Sequence, residues 1–525
     1  MSNQGMTAIA IDFGTSNTVV AIQDAASQRP QTLVFDRLSR RIQTPRGVVN
    51  VVPSLVFVKD AETLMVGESV RSQRLGQVQP DRYFHGFKRD LAADFQPPPR
   101  TLDGQTYTAA TVSEAFLQTL WQQVQQQGMT PSHLIFTVPV GAFERYLDWF
   151  RTLGDRLAVP TVQLVDESTA AALGYAVRRP GSRVLVIDFG GGTLDLSLVR
   201  TVPTTQGQRS LKAEVIAKAD AYVGGVDIDR WIGERCLQQL GLTREQIGET
   251  GWQMVLERAE RLKIRLSSEE TATESWLDDE SFRAYDLTLT QRDLADLLED
   301  QQLLKQVRQA LDEVLAIAQL KGVGKADIEL VLLVGGSCQL LAVQQLMLSY
   351  FGRQRVKMHK PFEAVAHGAI ALSQISEVDD YLHHSYAIRL WEPYSKTYSY
   401  FKVFDQGTTY PCSRSEPLTL QVAQEGQTEI RLDIGEVADL AQAELVYDAQ
   451  GRMTSSAVHR QESYRSLETH HNPVCVAHLN PPGQLGSDRI TVQFAVTADR
   501  TLVATVRDLL TQTTLVEQGA IATLQ

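Results

Sequence analysis

The sequence predicts a two-lobed α/β body followed by an all-β, sandwich-like domain, and three observations carry that expectation. Up to about residue 375, apolar strand-like runs alternate with longer helical patterns, which is the rhythm of an α/β protein. The stretch Ala10-Ile-Asp-Phe-Gly-Thr-Ser-Asn-Thr-Val-Val-Ala-Ile is echoed by Val186-Ile-Asp-Phe-Gly-Gly-Gly-Thr-Leu-Asp-Leu-Ser-Leu. Each reads as apolar strand, aspartate, glycine turn with threonine, apolar strand, so the duplication implies two similar lobes presenting matching turns to one ligand. After Ser376-Glu-Val-Asp-Asp-Tyr-Leu the pattern changes to period two. Ile430, Leu432 and Ile434 alternate with Glu429, Arg431 and Asp433, and Ile490, Val492, Phe494 and Val496 alternate with Thr491, Gln493 and Thr497. Such alternation means strands with one buried and one wet face.

Within the α/β part, strands are expected at Ala8–Ile11, His133–Val138, Arg183–Ile187 and Glu329–Val334. Helices are expected at Ser113–Gln126, Arg145–Leu157, Glu167–Ala176, Trp252–Leu266, Gln291–Gln319 and Leu341–Phe351. The expected organisation is residues 1–375 as the α/β domain, 376–384 as linker and 385–525 as the β-rich domain. A chain of 525 residues requires more than one core, because single cores rarely grow beyond about 250 residues.

Charge and composition exclude several classes. A net charge of -12 opposes binding to nucleic acid or to an anionic membrane. Arg82, Lys88 and Arg89 stand beside Asp81 and Asp90 rather than in a basic patch. Cys236, Cys338, Cys412 and Cys475 lie far apart, so neither a disulfide framework nor a C-x-x-C zinc pattern is expected. His470, His471, Cys475 and His478 lack paired ligand spacing and read as a polar loop running into a strand. The N-terminal segment has no basic region, and Asp12 and Gly14 interrupt its apolar run, unlike a signal peptide. With no apolar run near the roughly 18 residues of a membrane span, the expectation is a cytoplasmic protein.

The chemistry is concentrated in the glycine turns. Gly14, Thr15 and Ser16 in the first turn, and Gly190, Gly191, Gly192 and Thr193 in the second, offer backbone N–H groups that an anion can approach closely. Asp12 and Asp188 end the preceding strands. They would repel a bare phosphate, but with Mg²⁺ between carboxylates and phosphates they form part of a magnesium–triphosphate cradle. Ordinary glycine-rich hairpin turns are the competing reading of each motif alone. Gly322-Val-Gly-Lys-Ala lacks the spacing and the final Ser/Thr of a P-loop. A third turn, Leu333-Val-Gly-Gly-Ser337, joins an apolar strand to a helix, a junction that suits a flat ligand such as adenine or ribose and also suits close helix–strand packing.

Taken in order, Ile11-Asp-Phe-Gly-Thr-Ser-Asn-Thr, Thr137-Val-Pro139, Asp166-Glu-Ser-Thr-Ala-Ala-Ala-Leu-Gly-Tyr, Asp188-Phe-Gly-Gly-Gly-Thr-Leu-Asp195, Gly224-Gly-Val-Asp-Ile-Asp229, Glu260-Arg-Leu-Lys-Ile-Arg-Leu-Ser267, Leu333-Val-Gly-Gly-Ser337 and Glu363-Ala-Val-Ala-His-Gly-Ala369 resemble the phosphate, connecting and adenosine segments of the heat-shock protein 70 (DnaK-type) chaperone family. The resemblance implies an actin-like ATPase domain of duplicated ribonuclease-H-like lobes. It implies that Asp12 and Asp188 organise Mg²⁺ and its waters, that Thr15 and Thr193 contact phosphates, and that Lys88 is the catalytic lysine. Glu167 would complete the water and ion network, and Asp195 would help hold a K⁺ ion. Gly224 and Gly225 belong to the nucleotide-binding segments, while Glu260, Lys263, Ser267, Gly335, Gly336 and Ser337 would line the adenosine pocket. Pro139 and Arg145 resemble the family's nucleotide-state switch, at a shorter spacing.

Departures accompany the match. Gln339 stands where many members carry an arginine stacked on adenine, and Phe362 replaces an aspartate near the base. Gln163 and Asp166 replace an arginine and an asparagine near the J-domain contact, and the linker Ser376–Leu382 lacks the family's acidic–leucine-run pattern. The β-rich tail resembles the peptide-binding sandwich through Phe404-Asp-Gln-Gly-Thr-Thr-Tyr-Pro-Cys, Thr428-Glu-Ile-Arg-Leu-Asp-Ile-Gly-Glu436, Ile490-Thr-Val-Gln-Phe and Leu502-Val-Ala-Thr-Val-Arg-Asp508. Too few residues follow Asp508 for a helical lid. The resulting expectation is a lidless chaperone-like ATPase using ATP/ADP and Mg²⁺. It would bind extended polypeptide clients weakly, with a J-domain co-chaperone and a nucleotide-exchange factor as family partners. The alternatives are a nucleotide-gated scaffold that hydrolyses little ATP, a sugar- or acetate-kinase-like phosphotransferase of the same fold, and a filament-forming actin-type protein.

Overall fold

The computed structural model describes residues 8–24, 29–44, 47–92, 97–139, 144–175, 179–203, 211–278, 283–373, 382, 385–392, 397–405, 408, 410–447, 453–467, 474–497 and 500–524. Most of the linker Ser376–Leu382, together with His470 and His471, lies outside the described residues. The chain divides into two compact units: residues 1–142 with 149–376, and residues 377–525 with 143–148.

The first unit carries two sheets of the same design. In lobe I, β1 (Ala8–Asp12), β2 (Asn17–Gln23), β3 (Pro30–Thr32), β4 (Arg40–Thr44), β5 (Gly47–Pro53), β6 (His133–Val138) and β7 (Thr161–Asp166) lie in the order β7-β6-β1-β2-β5-β4, with β3 also on β2. In lobe II, β8 (Arg183–Phe189), β9 (Leu194–Pro203), β10 (Leu211–Ala221), β11 (Leu330–Val334) and β12 (Val356–Lys357) lie in the order β10-β9-β8-β11-β12. Strands β1 and β8 each pair antiparallel with the next strand in sequence and parallel with a later one, β6 and β11 respectively. The duplicated sequence pattern is therefore a duplicated topology, and Asp12 and Asp188 occupy equivalent positions beside the turns.

Alternation along the central strands fixes which layer each residue serves. Leu185, Ile187 and Phe189 join one core with helices α5 (Gly225–Leu240), α6 (Arg244–Leu266), α7 (Gln291–Asp300), α8 (Leu303–Leu320) and α9 (Leu341–Phe351). Val184 and Val186 face the other way. They bury against α4 (Glu167–Gly174) and α10 (Ala364–Ser373), which also pack on Ala8, Ala10 and Ile135 of lobe I. Upstream, α2 (Ala109–Gln126) and α3 (Glu144–Arg156) match expected helices, and α1 (Phe87–Ala92) is a short helix that the sequence pattern does not mark.

One helix expectation needs correction. The stretch Gln291–Gln319 is two helices, because Gln302 adopts φ 56° between α7 and α8. A continuous helix would carry Gln301 and Lys305 onto the stripe begun by Leu294, Leu297 and Leu298. The break instead resets the phase so that Leu303, Val307, Leu311 and Val314 are buried. The backbone at Gly248 is non-helical, so within α6 a short turn from Arg244 precedes the longer helix that contains the expected Trp252–Leu266 stretch.

The second unit is built from antiparallel strands around its own core. Strands β13 (Ser385–Glu392), β14 (Thr397–Phe404), β18 (Ile434–Tyr447) and β19 (Met453–Ser466) form one sheet in the order β14-β13-β18-β19. A second sheet contains β15 (Cys412–Ser413), β16 (Leu418–Gln421), β21 (Asp488–Val496), β22 (Thr501–Asp508) and β23 (Thr514–Thr523), while β17 (Gln427–Leu432) pairs with β20 (Val474–Gly483). Tyr386, Ile388, Ile430, Leu432, Ile434, Ile490, Val492, Phe494 and Val496 meet in one cluster. The period-two residues thus point inward as alternation requires.

Helices α4 and α10 cross almost in contact. A Cβ on Gly368 would lie 1.7 Å from the Ala170 carbonyl oxygen, and one on Gly174 would lie 1.9 Å from that of Ala364. Both neighbours are backbone and cannot rotate away. Gly368→Ala is therefore expected to lower unfolding stability by about 1–3 kcal/mol, measured by urea unfolding; an unchanged midpoint would show that the crossing has room to spare.

Candidate functional site

The site begins where the two turns touch. A Cβ on Gly191 would meet Ser16 Oγ at 1.9 Å, so the second turn rests directly on the first. The first turn is held from beneath: Ser54 Oγ donates to the Gly14 carbonyl at 2.7 Å and lies 3.0 Å from Thr18 Oγ1. In the second, the Gly190 N–H donates to the Thr193 carbonyl at 3.0 Å. Gly224 and Gly225 start α5 against it, with N–H donation from Gly225 to Gly190 at 3.1 Å and from Val226 to Gly191 at 2.9 Å. The third turn closes on the same point. Ser337 Oγ donates to the Gly190 carbonyl at 2.7 Å. Gly335 has φ +83°, and a Cβ there would stand 2.8 Å from Asp188 Oδ1, so only glycine fits that approach.

Acidic groups crowd behind these turns. Register places Asp188 directly across from Asp195, and Asp195 across from Asp220. Burial and the nearby Glu167, Asp12 and Asp195 charges push Asp188 well above the usual carboxylate range. Burial, with Glu167 and Asp220, raises Asp195 to about 7 although Thr193 donates to it. Burial and Glu167 raise Asp12 to about 6, opposed by the Lys88 charge and by the Thr137 hydroxyl, which donates to Asp12 Oδ1 at 2.9 Å. Lys88 Nζ, from α1, binds Glu167 Oε1 at 3.0 Å, with both side chains 12% exposed. Glu167 opens α4, while the preceding Asp166 caps that helix by accepting from the Thr169 N–H at 2.7 Å.

This donor set suits a hard cation, since carboxylate and hydroxyl oxygens are in excess of positive charge. Among the described residues no three acids converge as a direct metal-binding group.

The turns open onto a cavity of about 340 Å³ with walls from both lobes. Thr15, Ser16, Gly190, Gly191 and Gly225 form one wall; Glu260, Lys263, Ser267, Gly336 and Ser337 form another. Asp12, Gly14, Lys88, Glu167, Asp188, Gly192, Thr193, Asp195, Gly224 and Gly335 do not line it. Asp12, Lys88, Glu167, Asp188 and Asp195 sit behind the turns, whereas Gly14, Gly192, Thr193 and Gly335 belong to the turns and Gly224 to the start of α5, so the predicted set separates into a lining group, an acid–lysine group and backbone positions that do not line the cavity. Phe362 and Gln339, the two departures noted in the sequence, both line the cavity. Lys263 is anchored by Asp229 at 2.7 Å and by the Gly225 carbonyl at 2.8 Å.

Several contributors carry no motif. Ser54, Thr137 and Asp220 become neighbours of the site only through strand pairing. Arg40 on β4 and Arg71, on the short helix Glu68–Ser72, both bind Glu260 of α6, at 3.2 and 2.8 Å. They span the lobes, and the Gln77 amide also donates to Glu257. Burial works against Glu260, but the Arg71, Arg40 and Lys263 charges outweigh it and hold its pKa at about 2.

That depressed pKa fixes a pH dependence. The unfolded chain takes up a proton near the ordinary 4.5, so the stabilisation is complete above that pH. It is lost as pH falls toward 2, where folded Glu260 protonates. Urea unfolding between about pH 6 and 3 should show a steeper acid loss for wild type than for Glu260→Gln; identical slopes would remove Glu260 from the linkage.

The Hsp70 protein family model matches residues 99–446. Two curated relatives, each named Chaperone protein DnaK and drawn from two strains of Thermus thermophilus, are 28% identical over 393 residues. The aligned region is 69% of this chain and 60% of each relative, so the match spans less than two thirds of their length. With more than half of its residues under the family model, the chain belongs to the Hsp70 family.

Proposed function

We propose that the chain is an ATP-dependent chaperone of the Hsp70 type, in which residues 1–375 hydrolyse ATP to ADP and phosphate and residues 385–525 bind extended polypeptide. The observation that carries this reading is the buried Lys88–Glu167 pair beside two touching donor turns and the acids Asp12 and Asp188. Phosphoryl transfer depends chiefly on positioning and charge neutralisation, and these residues supply both.

In this reading the N–H groups of Gly14–Ser16 and Gly190–Thr193 bind the phosphate oxygens, and Thr15 and Thr193 add hydroxyl contacts. Mg²⁺, when bound, neutralises phosphate charge and polarises the bond to be broken. Asp12 and Asp188 orient its shell, and Asp195 helps hold K⁺. Lys88, kept in place by Glu167, steadies the water that attacks the γ-phosphate and the charge that develops there. Glu260, Lys263, Ser267, Gly336 and Ser337 hold the adenosine, Gly335 shapes the turn behind them, and the arginine clamp on Glu260 keeps the lobes apposed over it. Asp166 is committed to capping α4, which weighs against its acting as a co-chaperone contact. Polypeptide clients, a J-domain co-chaperone and a nucleotide-exchange factor are the partners that family membership brings to this proposal. Among the described residues no helix is long and apolar enough to cross a membrane.

Steady-state ATP hydrolysis by wild type and Lys88→Ala, with and without an unfolded apolar peptide, tests the reading. Loss of about 100-fold or more is expected in the variant, with peptide stimulation of the wild type. Turnover indifferent to peptide would remove the coupling. Tight ATP binding without wild-type hydrolysis would replace the enzyme with a nucleotide-gated scaffold.

A further inference from the structure

Arg89 follows Lys88 on α1 and has no assigned task. Its side chain lies across the glycine turn of lobe II. A Cβ on Gly192 would stand 3.3 Å from Arg89 Cδ and 3.0 Å from Thr15 Cγ2, so the arginine stem rests where the two turns meet. Beyond the turn, Arg89 Nη1 is 3.8 Å from Asp227 Oδ2 on α5, with the arginine side chain 33% exposed. That distance is at the loose end of ion pairing, where a partly exposed pair contributes little. Asp227 is satisfied without it. The same Oδ2 accepts from the Gly224 N–H at 2.9 Å, in the first turn of α5, where a carboxylate is favoured by the helix itself. Asp90, next in the chain, feels the arginine charge. The other cations near the turns are held more tightly: Arg40 and Arg71 by Glu260 at 3.2 and 2.8 Å, Lys88 by Glu167 at 3.0 Å and Lys263 by Asp229 at 2.7 Å.

Position decides what such a cation could meet. Neither Arg89 nor Gly192 lines the cavity whose walls carry Glu260, Lys263 and Ser267. Arg89 therefore stands on the side of the turns away from the adenosine wall, beside Lys88, where the last phosphate of a triphosphate would lie. A guanidinium fork suits phosphate oxygens. We infer that Arg89 is a ligand of the terminal phosphate, parked on Asp227 in the empty protein and drawn off it when that phosphate fills the turns. The inference rests on the nucleotide-binding reading above. It makes Arg89 the residue by which the chain tells a triphosphate from a diphosphate.

Calorimetric titration of the full chain with ADP and with ATPγS, in the presence of Mg²⁺, tests it on wild type, Arg89→Gln and Asp227→Asn. Melting temperatures of the nucleotide-free variants establish first that each is folded. Arg89→Gln should lose about tenfold in ATPγS affinity and leave ADP affinity within about twofold of wild type. Asp227→Asn, which removes only the parking acid, should keep wild-type ATPγS affinity or exceed it. Unchanged ATPγS affinity in Arg89→Gln, or equal losses for both nucleotides, overturns the role of Arg89 and leaves nucleotide binding standing. An Asp227→Asn loss that matches that of Arg89→Gln also overturns it, because the ion pair rather than the phosphate would then be the arginine's task. A wild type that binds neither nucleotide overturns both readings.

Discussion

Burying several carboxylates around one ammonium group is the constraint on which the first unit depends. Asp12, Asp188, Asp195 and Glu167 repel one another in surroundings that already disfavour charge, and Lys88 offsets only part of that. Directly opposed like charges, such as Asp188 with Asp195, destabilise a sheet. The rest of the framework has to tolerate this cost, and the deep apolar layers on both faces of β8 are what allow it. A site that is short of positive charge when empty is well prepared for a cation and its anionic partner.

The two lobes share a topology but divide the work. Lobe I supplies Asp12, the Ser16 turn and, from its outlying segments, Lys88 and the arginines that reach Glu260. Lobe II supplies the Asp188–Asp195–Asp220 row and the wall formed by α6 and the turn after β11. Glycines mark where the halves approach most closely, at Gly191 against Ser16 and at Gly368 against Ala170. In both places the contact is with a turn hydroxyl or with backbone, so small displacements of one lobe are felt directly at the other.

The second unit solves a different problem. Its main core cluster is apolar, yet Arg489 and Asp508 are also buried, together on β21 and β22 and paired at 3.0 and 2.9 Å. Asp508 also accepts from the Leu510 and Thr511 N–H groups. With so many partners the carboxylate stays below its usual range despite burial. A pair of this kind contributes little net stability. Because Ile490 is the register partner of Asp508, slipping the two strands would strand a buried charge, which penalises the wrong register.

Much of this was legible without coordinates. The duplicated Asp-Phe-Gly pattern foretold a duplicated hairpin because strand, acid and glycine turn are local features, and period-two alternation announced the β unit for the same reason. Resemblance, rather than local chemistry, singled out Lys88 and Glu167, since an isolated lysine or an acid at a helix start is ordinary. The break at Gln302 was missed because a phase reset is visible only against the core that the helices pack on. Ser54, Thr137, Asp220, Arg40 and Arg71 carry no signature. Their roles come from strand register and from the meeting of lobes across long stretches of sequence. Local pattern is enough to mark which turns could bind an anion and which residues lie inside the strands, because both depend on near neighbours in the chain. Tertiary structure decided which side chains stand around them, because pairing partners, burial and shared charge are properties of the assembled core.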